Sequence, residues 1–236
     1  MAPGLSRGPE LPYRMLAGVE PCATGWLVVS AKLQGVSMFP EPAHVVTSFN
    51  SILDSRPRYE FVALHCPVGL PEAGASGGRQ CDREARALLG ADRASAILSP
   101  PDRTRLDDDD VSDLGADVRS LLAHIREVNE CIASYHQRMV AEVNPELGFY
   151  QLNDGVALVH GRGEPEGIDE RLAILHARMP GLERVLDELP RDVSLGTVLD
   201  ACADLWTARR IAARAVVRLP ESPEWSEAGL KMELVL

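Results

Sequence analysis

The chain has 236 residues, 45% hydrophobic and 25% charged, the composition of a globular protein with one substantial core rather than of a fibrous or disordered chain. A formal net charge of -11, from 24 basic and 35 acidic residues, works against a protein that grips long nucleic acid by neutralising phosphates. No apolar run approaches the roughly 20 residues of a membrane span, and Cys22, Cys66, Cys81, Cys131 and Cys202 form no CxxC pair, which excludes a zinc ribbon or disulfide framework and predicts a reduced, cytoplasmic protein.

Residues 1–12 lack the apolar centre of a signal peptide, and their Pro and Gly content predicts a frayed tail over residues 1–14 ahead of a single domain, 15–236. Residues 15–19 and 26–31 are short apolar runs separated by Pro21, Thr24 and Gly25, which favours a hairpin, and residues 36–39 add a third strand. Val45, Val46, Phe49, Ile52 and Leu53 then fall at helical spacing within 42–53, and residues 59–64 return as a buried strand. The alternation predicts an α/β sheet.

After a Gly/Pro-rich loop over 67–78, residues 82–89 read as a helix stopped by Gly90. Residues 98–111 form a surface excursion whose acidic run, 107–110, lacks the spacing of a calcium loop and takes no ligand role. From 114 to 139 an apolar stripe predicts one long helix, followed by a brief strand at 140–143. The last third predicts helices at 166–178, 181–189 and 195–217 and a final strand at 230–236.

Three acidic segments stand out. Glu20 sits where the first hairpin turns, either a solvated turn acid or a metal-binding one displayed at the end of a strand. Glu142 and Glu146 bracket Pro145, and the helix dipole accounts for Glu146 while an apolar strand does not account for Glu142. Asp200 and Asp204 lie one turn apart on an Ala-lined helix; Asp200 is the expected inward acid, whereas Asp204 can simply face water.

Taken in order, Gly18-Val-Glu-Pro-Cys-Ala-Thr-Gly-Trp26, Pro67-Val-Gly-Leu-Pro71, Arg79-Gln-Cys-Asp-Arg-Glu-Ala-Arg86, Glu142-Val-Asn-Pro-Glu146 and Leu199-Asp-Ala-Cys-Ala-Asp-Leu-Trp-Thr-Ala208 resemble the motifs of one family. It is the family of RNase H-like nucleases, themselves assigned by inference, catalogued as domain of unknown function four-two-nine. The resemblance runs over residues 15–235. It implies a mixed five-stranded sheet with three antiparallel strands first, helices on both faces, and extra C-terminal helices and a strand. It also implies Mg²⁺ or Mn²⁺ held by Glu20, Glu142 and Asp200, with Glu146 auxiliary and Arg79, Arg162 and Arg171 on phosphate, for attack of water on a phosphodiester.

The chain departs from that pattern at several acids. Glu20 stands where the family usually has Asp, and His65 where it has Asp before the small-residue-Pro step. Gly196 and Thr197 replace acids ahead of Asp200, and Ser226 or Glu227 replaces an Asp near the C-terminus. His65 reads either as a hydrogen-bonded structural residue or as a general base or ligand of a softer ion. A degenerate member that binds a ligand or protein without turnover is therefore the alternative to a nuclease. A phosphoryl-transfer enzyme finds little support, because Gly77-Gly78 lacks the Lys-Ser/Thr of a phosphate loop. The expected partners are nucleic acid or a small phosphorylated substrate, with no membrane and a homodimer left open.

Overall fold

The computed structural model describes residues 12–73, 78–108 and 110–236. Most of the predicted tail, residues 1–11, lies outside that range, and Arg14 already belongs to the first strand. Strands β1 (Arg14–Cys22) and β2 (Gly25–Gln34) form the predicted antiparallel ribbon, with Gly18 opposite Val29 and Glu20 opposite Leu27. Strand β3 (Ser37–Pro40) pairs with the far half of β2.

The helix predicted over 42–53 divides in two. Val45 and Val46 are β-branched and pair with Leu27 and Trp26, making strand β4 (His44–Val46). Helix α1 (Phe49–Leu53) starts only after Ser48, whose hydroxyl accepts the Ser51 amide N–H. Strands β5 (Tyr59–Leu64) and β6 (Val140–Glu142) then add in parallel beside β1, so the order is β3-β2-β1-β5-β6 with β4 alongside β2. The sheet has six strands, one more than the resemblance implied.

Helix α2 (Gln80–Leu89) ends at Gly90 as its spacing predicted, with a positive φ of 79° that a glycine accepts without strain. Helix α3 (Ala116–Cys131) is shorter than the 114–139 expected. It stops because Ile132 turns extended and buries its side chain, while the His136 ring accepts the Ala133 N–H at 3.0 Å to start a separate short turn.

Helices α4 (Pro145–Leu152), α5 (Pro165–Arg178), α6 (Glu183–Leu186) and α7 (Leu195–Ala212) follow, then the antiparallel pair β7 (Arg218–Trp225) and β8 (Lys231–Val235). Strand β7 was not expected, because Pro220 and Pro223 interrupt its apolar pattern and little of it is buried. No helix among the described residues is long and apolar enough to cross a membrane.

Side-chain alternation along β1 assigns the two faces of the sheet. Met15, Ala17 and Val19 join Val62, Leu64 and Val140 against Phe49 and Ile52 of α1 and Ile125 and Val128 of α3. Leu16 and Ala63 face the other way, onto Val198, Leu199, Ala201, Cys202 and Leu205 of α7. The small residues of α7 let it lie almost on the backbone of β1: a Cβ on Gly18 would sit 2.1 Å from the Ala201 carbonyl oxygen. Gly18 is thus required for close approach rather than for a turn.

Candidate functional site

Close contact between α7 and β1 buries acids that the chain would otherwise leave in water. Glu20, Asp200 and Asp204 are all at most 1% exposed. Glu20 leaves β1 on the same face as Gly18, and the Asp204 backbone lies 3.0 Å from where a Gly18 Cβ would be. Asp204 was expected to face water; it is instead fully buried, and no donor in the protein reaches either of its carboxylate oxygens.

The neighbour of Asp204 is the Glu20 carboxylate, and two carboxylates share a buried site only when a proton or a cation offsets their repulsion. Burial, followed by the charge of Glu20 nearby, pushes the Asp204 pKa well above the carboxylate range, which favours its neutral form when no cation is bound. Burial and the Glu20 charge also push Asp200 up to about 7, with Arg162 and Arg171 opposing. The Asp200 Oδ2 lies 3.2 Å from Arg162 Nη1, an ionic contact without hydrogen-bond alignment, and Arg171 Nε is 3.8 Å from Oδ1.

His65, one residue past the end of β5, closes the cluster on its other side. Its Nδ1 lies 2.9 Å from both oxygens of Glu20, and its Nε2 faces Asn144 Nδ2 at 3.4 Å. Burial works against the imidazolium, but the Glu20 charge and hydrogen bond outweigh it and raise the pKa. Asn144 also caps α4, its side-chain oxygen accepting the Glu146 N–H at 3.0 Å. Glu146 itself is paired with Arg171 and, at 2.8 Å, with Arg93.

Glu142 is held elsewhere. Val19, Leu64 and Glu142 are register partners across three parallel-paired or adjacent strands, so Glu142 shares the face of Val19 and points away from Glu20. Its oxygens accept from Arg79 Nη1 at 2.7 Å, Arg79 Nη2 at 2.6 Å and the Val68 N–H at 2.7 Å. Arg79 in turn donates to Asp82 from Nε at 3.0 Å and from Nη2 at 2.6 Å, and to the Gly69 carbonyl at 3.3 Å. That engages every nitrogen of a guanidinium only 1% exposed. A cavity of about 20 Å³, room for about one water, has His65, Asn144, Arg79 and Glu142 in its lining.

The expected site residues therefore fall into two groups. Glu20, Asp200, Glu146, Arg162 and Arg171 come together on the α7 face, while Glu142 and Arg79 form a buried ion cluster on the opposite face. Asp204, His65, Asn144 and Arg93 complete the first group. Asn144 and Arg93 carry no marked signal in the sequence, but Asp204 shares with Asp200 an apolar Ala-lined flank that signals burial.

The chain from residue 18 to 225 matches the family model described as Protein of unknown function (DUF429). The chain belongs to this family. No curated protein and no solved structure matches it. Every residue of both groups lies inside the family match, so membership covers the acid cluster and the Arg79–Glu142 pair alike. The family description carries no activity.

A Mg²⁺ or Mn²⁺ ion, implied by the resemblance, can be tested against those side chains. Among the described residues no three His, Cys, Asp or Glu side chains are gathered as ligands around one point. The donor set nevertheless fits a hard cation, since Glu20, Asp200 and Asp204 offer only carboxylate oxygens. Asp200 Oδ2 and both Asp204 oxygens are buried without a hydrogen-bond partner, a state in which a proton or a cation must offset the charge.

Proposed function

We propose that this protein is a divalent-cation-dependent phosphodiesterase of RNase H-like fold. The observation that carries the reading is the burial of Glu20, Asp200 and Asp204 together, with one oxygen of Asp200 and both oxygens of Asp204 lacking a hydrogen-bond partner. The strand order β3-β2-β1-β5-β6, antiparallel at first and then parallel, supports the fold assignment. It also sets Glu20 and His65 side by side at the ends of neighbouring strands.

Glu20, Asp200 and Asp204 would hold Mg²⁺ or Mn²⁺, which when bound lowers the pKa of a water and polarises a phosphoryl oxygen. His65 fixes the Glu20 carboxylate through Nδ1, leaving Nε2 toward Asn144. Arg162, half exposed beside Asp200, is the residue placed to meet a substrate phosphate, and Arg93 lies next to it in burial at the Glu146 pair. Arg171 is fully buried and acts by positioning Glu146 and Asp200. The net charge of -11 favours a small phosphorylated substrate over long nucleic acid.

Glu142 and Arg79 take no part in this reading. Their mutual pairing favours the second reading, a member of the family that keeps the fold and binds a ligand or protein without turnover. Hydrolysis of bis(p-nitrophenyl) phosphate, with and without Mn²⁺, separates the two. Manganese-dependent turnover lost in Asp200→Asn supports the enzyme; manganese binding without turnover of any phosphodiester supports the binding module.

A further inference from the structure

At the end of β1 remote from Glu20, a cavity of about 260 Å³ opens between β2, β4, α1 and the start of β5. Its floor is apolar, built from Met15, Val28 and Ile52, each at most 5% exposed. One wall is a closed polar chain: the Tyr59 phenol is tied to the Ser30 side chain, and Ser30 Oγ donates to Glu41 Oε2 at 3.4 Å. Lys32 neutralises Glu41 with an ion pair of 3.0 Å. That wall offers no spare charge.

The opposite wall differs. Ser55 keeps its Oγ covered, out of reach of the cavity, and leaves this wall to its neighbour. Beside it, Arg56 Nη1 donates to the Asp54 and Ser55 carbonyls, both at 2.9 Å, which fixes the guanidinium at the cavity mouth. Among the described residues no carboxylate is ion-paired with Arg56. Only Nη1 is engaged by the two carbonyls, so the Nε and Nη2 edge of the guanidinium remains as a planar donor fork for a carboxylate. A dry cavity of about 150 Å³ accepts benzene, so the apolar floor has room for a body of that size with a carboxylate attached. Water alone fills the polar wall well but the floor poorly.

We propose that this cavity binds a small monocarboxylate with an apolar body, the carboxylate on Arg56 at the mouth and the body on Met15, Val28 and Ile52. The site lies apart from the acid cluster, and it stands whether or not the protein is a phosphodiesterase.

Calorimetry and methyl NMR with 3-phenylpropionate and its neutral amide test the assignment. The acid is expected to bind at least tenfold more tightly than the amide and to shift the Val28 and Ile52 methyl signals. Arg56→Ala, a change at an exposed residue, is expected to bring the acid down to the affinity of the amide, and Arg56→Lys to restore part of it. Equal binding of acid and amide, indifference to Arg56→Ala, shifts confined to other methyl groups, or no binding of either probe overturns the assignment.

Discussion

Glu20 and Glu142 leave the central sheet on opposite faces. Glu142 is the register partner of Leu64, and Leu64 of Val19, so the side chain of Glu142 lies with Val19 and that of Glu20, one residue further, lies across the sheet under α7. The two acids consequently belong to different electrostatic units. One is satisfied by Arg79, and the other shares its surroundings with Asp200 and Asp204.

Arg79 holds its unit together, and its loss has a defined cost. Arg79→Met leaves Glu142 and Asp82 buried without a countercharge, and breaking a buried ion pair in this way costs about 3–5 kcal/mol. Urea denaturation is expected to show a loss in that range. A loss under about 1 kcal/mol, the scale of an exposed pair, would mean that water reaches the cluster.

Asp204 has the opposite character, an acid whose oxygens no donor reaches. In Asp204→Asn the amide can donate to Glu20 without holding a proton against burial, so the cation-free protein is expected to gain about 1 kcal/mol, or about 2–4 °C in Tm for a chain of this size. A drop in Tm of the same size contradicts the description of Asp204 as unsatisfied.

Tyr59 supplies a pH dependence away from the acid cluster. Burial first, opposed by the hydrogen bond with Ser30 and assisted by the Glu41 charge, raises its pKa above the usual 10.0. An acid whose folded pKa is raised loses its proton first in the unfolded chain, so stability falls as pH climbs past about 10. Absorbance titration of the phenols should show one late transition that Tyr59→Phe removes. The same variant should flatten the loss of Tm between pH 10 and 11.

Arg162 is the exposed cation of the acid cluster, within 3.2 Å of Asp200. If it meets a substrate phosphate, Arg162→Ala raises KM for a phosphodiester about tenfold, about 1.4 kcal/mol, while kcat changes little. A fall in kcat at constant KM instead places Arg162 in the reacting step.

Much of the fold was legible from the chain because its apolar runs are short and well punctuated. Residues 59–64 form β5 as their spacing implied, and Gly90 stops α2 where expected. What escaped was decided by pairing rather than by pattern. Val45 and Val46 satisfy a helical period equally well, but the open edge of β2 draws them into β4. Pro220 and Pro223 hide β7, which needs β8 beside it to exist at all.

The same limit governs the candidate site. A three-residue strand such as β6 carries too little alternation to reveal which face Glu142 takes; the register with Leu64 decides it. Asp200 and Asp204 have near-identical flanks, and only the approach of α7 to Gly18 buries the second as fully as the first. The acidic character of the site was therefore readable, while its membership was not.

The grouping of Glu20, Asp200 and Asp204, without Glu142, is tested most directly by titrating the protein with Mn²⁺ in a calorimeter at pH 8. The wild-type chain is expected to bind Mn²⁺, and Asp200→Asn and Asp204→Asn to lose the binding heat, while Glu142→Gln, if its circular dichroism matches wild type, retains it. Loss of binding in Glu142→Gln with binding kept in Asp204→Asn, or no binding by the wild-type chain, contradicts the account.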